Sequence, residues 1–198
     1  MDWSVEKEFT CEGFTVIAGT DEAGRGPLAG PVFAAAVILP FGIEIEGLND
    51  SKKLTEKKRE KLFDVIIENA ISYAIESSSV EEIDSLNILE ASQLAMRRAV
   101  EKLSPFPNMV LVDGNIARGF TTATKCVIHG DAISPSIAAA SILAKVSRDR
   151  LCMELDREYP EYGFKKHKGY GTRDHMNAIR QYGPCEHHRR TFLKFLGK

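Results

Sequence analysis

The chain has 198 residues and a formal net charge of −2; hydrophobic residues make up 43% of it and charged residues 27%. These values fit a single globular domain with its own buried core, and they exclude a disordered or fibrous chain. The four cysteines are scattered and form no C-x-x-C pair, so neither a zinc site nor a disulfide framework is indicated.

No segment of the sequence predicts membrane association. The first residues lack the basic and apolar regions of a signal peptide. The longest apolar stretch, Val32 to Leu39, is too short to cross a bilayer. We therefore expect a cytoplasmic protein with no membrane partner.

The first part of the chain predicts a cluster of strands around one helix. Apolar runs predict strands at 14–18 and 31–39, and alternation predicts another at 71–77. Between them, Thr55 is a good N-cap for a helix that extends to about Ala70.

The later part alternates between helices and strands. In order, it predicts helix 87–103, strands 109–112 and 121–128, helix 134–159, a basic loop at 163–171 and helix 172–182. Ser134-Pro135 is a strong helix start, because a serine cap precedes a proline in the first turn. The mixture predicts an α/β or α+β sheet domain with helices on the faces of the sheet. We expect a main sheet domain at 1–160 and a basic, mainly helical segment at 161–198 packed on the same domain.

The C-terminal segment is basic, whereas the rest of the chain is acidic. Residues 162–198 contain nine lysines or arginines and two acids, a net charge of +7, which leaves −9 for residues 1–161. A basic end on an acidic body is typical of a surface that binds a polyanion. A solvated face without a ligand explains the same charges.

Acidic residues follow three of the predicted strands. Asp21 and Glu22 come after the first strand, Asp113 follows Val112, and Asp131 precedes the long helix. Strand ends at one rim of an α/β sheet are where ligand-binding groups collect, so we expect these acids to lie together. Taken singly, each acid is equally well explained as a turn former or a cap.

A cluster of four carboxylates predicts a metal site. Like charges repel, so such a cluster is costly unless cations neutralise it. Hard divalent ions with oxygen ligands, chiefly Mg²⁺, suit this role. Two such ions roughly 4 Å apart can activate a water molecule and stabilise a leaving oxygen at phosphorus. The acids therefore predict metal-dependent phosphoryl chemistry.

Two glycines flank an arginine directly after the first acid pair. In this Gly-Arg-Gly loop (Gly24, Arg25 and Gly26), glycines let backbone N–H groups approach a phosphate or sugar, and arginine can contact a phosphate. The loop is not a Walker loop, because no Gly-Lys-Ser/Thr follows. Considered alone, a plain tight turn is the default interpretation.

Residues 21–32, Asp-Glu-Ala-Gly-Arg-Gly-Pro-Leu-Ala-Gly-Pro-Val, resemble the signature of the ribonuclease HII family, the type 2 ribonucleases H. The resemblance extends over nearly the whole chain, at residues 50–54, 112–114, 130–131, 136–149, 167–172 and 188–192. It implies a ribonuclease H-like fold, a mixed central sheet flanked by helices, with a helical C-terminal part.

The resemblance also implies roles for particular residues. It implies a catalytic, metal-binding tetrad formed by Asp21, Glu22, Asp113 and Asp131, with Asp21 bridging two ions. It implies that the Gly-Arg-Gly loop senses the 2′-hydroxyl and that Tyr170 packs on the next deoxyribose. Candidates for phosphate contact or for support of the site are Lys52, Ser141, Lys145 and Arg148. No histidine is assigned a catalytic role, although His187-His188 invites a metal interpretation.

The implied activity is that of an endonuclease dependent on Mg²⁺ or Mn²⁺. It would hydrolyse the RNA strand of RNA–DNA hybrids and nick 5′ of ribonucleotides in duplex DNA, leaving 5′-phosphate and 3′-hydroxyl ends. These substrates would place it in ribonucleotide excision repair and DNA replication. We expect a monomer; a sliding clamp stays open as a partner, although no clear clamp-binding motif is visible.

Two alternatives remain at this point. One is a junction-resolving nuclease of the same fold superclass, which needs dimer symmetry to cut two strands. The other is a nucleic-acid-binding module whose acids are incidental, although four buried like charges would then be hard to explain. Gel filtration tests the first alternative, and a cleavage assay with and without Mg²⁺ tests the second.

Overall fold

We describe the protein from a computed structural model that covers residues 1–49, 51 and 54–197. Over these residues the strands are β1 (Ile17–Ala23), β2 (Val32–Ile38), β3 (Ser72–Ser78), β4 (Met109–Asp113) and β5 (Ala123–Val127). The α-helices are α1 (Ser4–Cys11), α2 (Glu56–Asn69), α3 (Val80–Leu86), α4 (Ile88–Glu101), α5 (Gly130–Ile133), α6 (Pro135–Glu158), α7 (Phe164–His167) and α8 (Arg173–Tyr182). Two 3₁₀ turns follow, Arg190–Phe192 and Lys194–Leu196.

The strands form one mixed sheet in the order β3-β2-β1-β4-β5. The first three strands pair antiparallel, whereas β4 runs parallel to both β1 and β5. The α/β class and the mixed central sheet predicted from the sequence are therefore confirmed. Because β1 and β4 are parallel neighbours, their carboxyl ends meet at one edge of the sheet.

Helices cover both faces of this sheet. Successive residues of β2 alternate between the faces, as strand geometry requires: Ala34 and Ala36 pack in one core with α4, while Ala35 and Val37 pack in another with α2 and α6. All four side chains are fully buried. These small side chains let the helices approach the sheet closely.

The closest approach is between α6 and β1. A Cβ atom at Gly19 would lie 2.3 Å from the backbone nitrogen of Ile137, so only glycine fits at this position. Ser134 and Pro135 begin α6 as predicted, and the Ser134 hydroxyl accepts the Ile137 N–H at 3.3 Å. This contact brings the first turns of the longest helix against the strand that carries Asp21.

Most other predicted elements agree with the structure, but the first strand, predicted at 14–18, lies at Ile17–Ala23, and the short helix α5 was not predicted. Thr55 caps α2, and Thr172 caps α8. Helices α1 and α3 were not predicted, although Ser79 and Glu82 form a capping box at the start of α3. The predicted basic loop contains the short helix α7.

The C-terminal segment packs against α6 and the loop that follows β1. Phe164, Ile179 and Leu193 share a core with Leu155 of α6 and with Ala29. The division at residues 160 and 161 stays a prediction. Within the described part of the chain, no helix combines the length and the hydropathy that a membrane span requires.

Candidate active site

Three aspartates from three elements meet at the edge of the sheet where β1 and β4 end. Asp21 lies in β1, Asp113 is the last residue of β4, and Asp131 lies in α5. The backbone N–H of Asp131 donates to Oδ1 of Asp113 at 3.4 Å. Carboxylate oxygens from the three residues lie within 4.8 Å of one another. We call this group the aspartate cluster.

The prediction that Asp21 and Glu22 follow a strand end was wrong. Both residues lie within β1, which begins at Ile17 and continues to Ala23. The ladder with β2 extends past the acids, because Ala23 still pairs with Phe33. Paired backbone therefore fixes Asp21 more rigidly than a turn would.

Burial raises the pKa of Asp21 well above its usual value, and the negative charges of Glu22 and Asp113 raise it further. Hydrogen bonds act in the opposite direction: the Ser141 hydroxyl contacts the Asp21 carboxylate, and the Glu22 N–H donates to Oδ1 at 2.7 Å. Ser141 Oγ in turn lies 2.8 Å from Ser51 Oγ. Ser141 thus contacts Asp21 directly, at the bottom of the cluster.

Glu22 lies beside the aspartate cluster and is paired with the Gly-Arg-Gly loop. Burial raises the pKa of Glu22, the Arg25 guanidinium lowers it, and the charge of Asp113 raises it. The Arg25 and Glu22 side chains form an ion pair at 3.3 Å. Glu22 is therefore close enough to Asp113 for the charge of Asp113 to raise its pKa, although Glu22 is not one of the three acids that cluster most tightly.

The donor set fits a hard divalent cation. It consists of carboxylate oxygens, which are preferred ligands of Mg²⁺ and Mn²⁺. Without a cation, burial and the mutual repulsion within the cluster both favour protonation of Asp21, as the direction of its pKa indicates. A bound dication would remove this repulsion, so these residues suit a metal better than they suit any structural role.

Arg148 is buried between the loop that follows β1 and the loop that follows α7. Its exposed fraction is 2%, and its guanidinium donates to the carbonyl oxygens of Lys168 at 2.9 Å and Ala29 at 3.1 Å. A Cβ atom at Gly24 would lie 2.1 Å from Nε of Arg148, which explains the glycine there. This position suits support of the site rather than contact with a phosphate.

Tyr170 lies beside the Gly-Arg-Gly loop. Its side chain is 48% exposed, and a Cβ atom at Gly26 would lie 3.4 Å from Cε1 of the ring. The Arg25 side chain is likewise half exposed. The Gly-Arg-Gly loop and Tyr170, which the resemblance assigns to substrate contact, thus lie on one surface, where the aromatic ring is exposed.

Of the remaining basic candidates, Lys145 lies in α6 between Ser141 and Arg148. Lys145 Nζ donates to Asp149 at 2.6 Å, and Arg59 lies 3.5 Å from the same carboxylate. Arg59 also donates to the Ser51 carbonyl at 3.0 Å. Lys52 lies outside the described residues. Lys145 is therefore engaged in an ion-pair network rather than free.

Sequence reasoning missed Arg189. This side chain is fully buried and donates to the carbonyl oxygens of Gly24, Arg25 and Gly30 at 2.6, 3.0 and 2.8 Å. It fixes the Gly-Arg-Gly loop from behind. The available signal was its place in the His-Arg-Arg-Thr-Phe motif at 188–192, which the resemblance included without a role.

Comparison with protein families gives one consistent match. The chain matches the family model described as Ribonuclease HII over residues 18–195. It is 57% identical over 177 residues to Ribonuclease HII of Burkholderia pseudomallei strain 668, covering 89% of this chain and 83% of that protein. Ribonuclease HII of Burkholderia thailandensis is 56% identical, with the same coverage.

Solved structures share the fold. Ribonuclease H2 from Pyrococcus horikoshii OT3 superposes with a TM-score of 0.74 at 28% identity, covering 93% of this chain and 100% of that chain. The PCNA:RNase HII complex from Archaeoglobus fulgidus gives 0.69 at 24% identity, with coverages of 90% and 94%. Bst-RNase HIII in complex with Mn²⁺ gives 0.67 at 18%, with coverages of 85% and 63%. The last two likenesses show the fold alone.

The ribonuclease H-like fold implied by the resemblance is therefore confirmed. The family model includes the aspartate cluster, Glu22 and the Gly-Arg-Gly loop, and more than half of the aligned positions are identical in the curated relatives. The chain belongs to the ribonuclease HII family, and it is a metal-dependent endoribonuclease that acts on RNA–DNA hybrids.

Proposed function

We propose that this enzyme cuts on the 5′ side of ribonucleotides embedded in duplex DNA, in addition to hydrolysing the RNA strand of hybrids. The products are a 5′-phosphate and a 3′-hydroxyl. The observation that carries the proposal is the aspartate cluster beside a glycine loop and an exposed aromatic, Tyr170. This pairs a site for phosphoryl chemistry with a surface that can examine the adjacent sugars.

The residues proposed to hold two divalent ions, Mg²⁺ or Mn²⁺, are Asp21, Glu22, Asp113 and Asp131. When bound, the ions supply an activated water molecule and charge stabilisation at the leaving 3′ oxygen. Asp21 contributes a carboxylate that is already oriented by Ser141 and by the Glu22 N–H. The Arg25–Glu22 ion pair couples the metal site to the loop that touches the substrate.

The Gly-Arg-Gly loop and Tyr170 are proposed to read the sugars. The 2′-hydroxyl is the group that distinguishes RNA from DNA, and glycine backbone can approach it without a side chain in the way. Tyr170 presents a half-exposed ring beside Gly26. A deoxyribose packed on this ring has no 2′-hydroxyl to desolvate, so a ribonucleotide followed by DNA is the favoured substrate.

The partners proposed for the enzyme are nucleic acid and, at most, one further protein. We propose that the enzyme acts as a monomer, because one aspartate cluster suffices for one nick. A sliding clamp is a candidate partner, since a structural neighbour is a complex of PCNA with RNase HII. Gel filtration of the enzyme alone tests whether it is a monomer, and gel filtration with a clamp protein tests whether the two proteins bind each other.

The test is a rate comparison on a duplex with one embedded ribonucleotide. Tyr170→Ala removes the ring, and we expect cleavage to fall about ten- to a hundredfold, the scale of one lost aromatic contact to a nucleotide. Tyr170→Phe keeps the ring and should keep most of the rate. Tyr182→Ala removes another exposed aromatic and serves as the matched control.

Calorimetric Mn²⁺ binding monitors the metal site in each variant. We expect it to be unchanged in Tyr170→Ala, since all four acids remain. A wild-type cleavage rate in Tyr170→Ala would show that the ring does not read the sugar. Loss of Mn²⁺ binding would show that the substitution acts through the metal site instead.

A further inference from the structure

The segment after α8 is bonded by its backbone to the loop that follows the Gly-Arg-Gly motif. The N–H of Gly30 donates to the carbonyl of His187, and the N–H of Arg189 donates to the carbonyl of Leu28, both at 2.8 Å. The two stretches run antiparallel. These backbone bonds hold His188 and Arg189 between two loops, the one at residues 24–31 and the one that carries Tyr170. They do so independently of any side-chain contact.

Arg189 holds the first of these loops. Its guanidinium donates to Gly24, Arg25 and Gly30 carbonyl oxygens, and a longer bond of 3.3 Å reaches Pro31. Burial lowers the pKa of Arg189 to about 9, so it remains charged at neutral pH. The planar guanidinium presents five N–H donors in a fixed geometry and here bonds four carbonyl oxygens at once, whereas a lysine ammonium has only three donors.

His188 reaches the second loop through His175. The backbone N–H of Cys185 donates to Nδ1 of His188 at 3.0 Å, so Nδ1 carries no proton and Nε2 must. His188 Nε2 then donates to His175 Nε2 at 3.1 Å. His175 consequently carries its proton on Nδ1 and donates it to the Tyr170 carbonyl oxygen at 2.9 Å. We call His188 and His175 the histidine relay.

The relay requires neutral rings, and its surroundings favour them. Burial lowers the pKa of both His175 and His188 to about 4. The His167 ring stacks on His175 with centroids 4.2 Å apart, and Phe164 packs edge-on against His175. His167 is itself fixed as the Nε2–H tautomer, because its Nδ1 accepts the Gly169 N–H at 3.2 Å.

A metal site is the competing interpretation of these histidines. Their Nε2 atoms lie 3.1 Å apart and share a proton, which leaves neither of them free to bind an ion. Among the described residues, a group of three potential ligand atoms is found only in the aspartate cluster. The geometry of the histidines is that of a hydrogen-bonded chain.

We propose that the His188-Arg189 dipeptide is a positioning element that sets both halves of the substrate-reading surface. Arg189 sets the Gly-Arg-Gly loop, and His188 sets the Tyr170 backbone through His175. One rigid dipeptide therefore fixes the distance between the group that senses the ribose and the ring that senses the next sugar. The proposal rests on the function proposed above for that loop and for Tyr170.

The relay is tested first in the unmodified protein by ¹⁵N NMR of the histidine rings at pH 7. Nitrogen shifts distinguish a protonated ring nitrogen from a bare one. We expect Nε2–H in His188 and Nδ1–H in His175. The opposite tautomer in either ring, or a doubly protonated ring, overturns the relay, whatever the substrate preference of the enzyme is.

The second test compares two substrates, a single ribonucleotide followed by DNA and a ribonucleotide followed by RNA. His175→Phe keeps a ring against Phe164 but removes both relay bonds. We expect its preference for the RNA-to-DNA step to fall about tenfold, on the scale of one aromatic contact. His175→Asn restores a donor at the Nδ1 position and should recover part of the preference. A merely destabilised fold would slow both substrates equally.

Arg189→Lys tests the other half. Both substrates contain the ribonucleotide that the Gly-Arg-Gly loop reads, so we expect kcat/KM to fall equally for both while Mn²⁺ binding persists. Equal losses on both substrates in His175→Phe would overturn the division of roles. If Tyr170→Ala leaves the preference for the RNA-to-DNA step unchanged, Tyr170 does not read the sugar, and the relay has no role in specificity. The NMR measurement still shows separately whether the hydrogen bonds of the relay exist.

Discussion

At the scale of single residues, Asp21 carries opposing demands. It is 4% exposed and lies next to two other negative charges, which is unfavourable in a protein without cations. The Ser141 hydroxyl and the Glu22 N–H offset only part of this cost. The residue is therefore arranged for metal binding at the expense of stability, a trade that functional sites often make.

Asp113→Asn separates these two effects. The variant keeps the shape of the site but removes one charge from the cluster, so we expect near-complete loss of cleavage. In metal-free buffer, its free energy of unfolding should equal or exceed that of the wild type, because repulsion with Asp21 is relieved. Asp64→Asn, which changes an exposed acid of α2, is the control. Full cleavage by Asp113→Asn at ordinary Mg²⁺ would remove Asp113 from the site.

The histidine relay predicts a pH dependence of stability. His175 and His188 have pKa values of about 4 in the folded chain, below the usual 6.5. Between these values the unfolded chain takes up protons that the folded chain excludes. Stability from the neutral rings is thus fully present above about pH 6.5 and is lost towards pH 4, by up to about 1.4 kcal/mol per pH unit for each ring.

Denaturant unfolding of wild type and His175→Phe between pH 7 and pH 4 measures this effect. The difference between them isolates the ring from Asp21, whose raised pKa changes stability in the opposite direction. We expect a shallower loss in His175→Phe. His187→Asn, a substitution next to the relay, should retain the wild-type dependence. Identical curves for His175→Phe and wild type would contradict the assignment.

At the scale of elements, the contact between β1 and α6 sets the site. Gly19 lets the backbone of α6 lie against β1 two residues before Asp21. The same contact brings Ser141, on the second turn of the helix, to the Asp21 carboxylate. The orientation of Asp21 thus depends on a glycine whose missing side chain leaves room for α6.

Gly19→Ala should destabilise the protein by about 3 kcal/mol or more, at or above the upper end of overpacking costs, since the added carbon meets backbone. Gly171→Ala is the matched control: its added carbon would lie 3.2 Å from the flexible Leu28 side chain, which can move aside. Denaturant unfolding compares the two variants. A loss below 1 kcal/mol in Gly19→Ala, on the same scale, would mean that α6 can shift without cost.

The elements also show how far sequence reasoning reached. Caps such as Thr55 and Ser134 are local, and they located their helices correctly. The predicted strand ended too early because Gly19 and the following acids are unfavourable in isolated strands. In the structure, pairing with β2 and the placement of the acids at the site outweigh that preference. The bonds of Arg189 to residues 24–31 join distant parts of the chain, and no local pattern encodes them.

At the scale of the whole molecule, the basic C-terminal segment is less exposed than its composition suggests. Arg189 is buried, and the Lys168 side chain is 15% exposed and lies 3.7 Å from Glu56. Lys165 and Lys166 are exposed at α7, close in sequence to Tyr170, and the ion pair that Lys166 forms with Asp174 at 3.2 Å is itself exposed to solvent. We infer that these two lysines, rather than Lys168, supply nonspecific affinity for the nucleic-acid backbone.

Neutralising both lysines, as Lys165→Gln with Lys166→Gln, should weaken duplex binding and flatten its salt dependence. Each lost phosphate contact makes the negative slope of log K against log salt shallower by about 0.9, so we expect the slope to change by roughly two in the double variant. Lys7→Gln on α1 is the control, because it removes an exposed charge from a helix that packs in a different core cluster from α7. An unchanged slope in the double variant would place the duplex on another surface.

We propose that one aspartate cluster and one sugar-reading surface together define where the enzyme cuts. The most direct measurement maps cleavage, to the nucleotide, of a DNA duplex that contains a single ribonucleotide. We predict one nick on the 5′ side of the ribonucleotide, with a 5′-phosphate and a 3′-hydroxyl, only when Mg²⁺ or Mn²⁺ is present. Cuts elsewhere in the duplex, or cleavage that persists in excess chelator, would contradict the account.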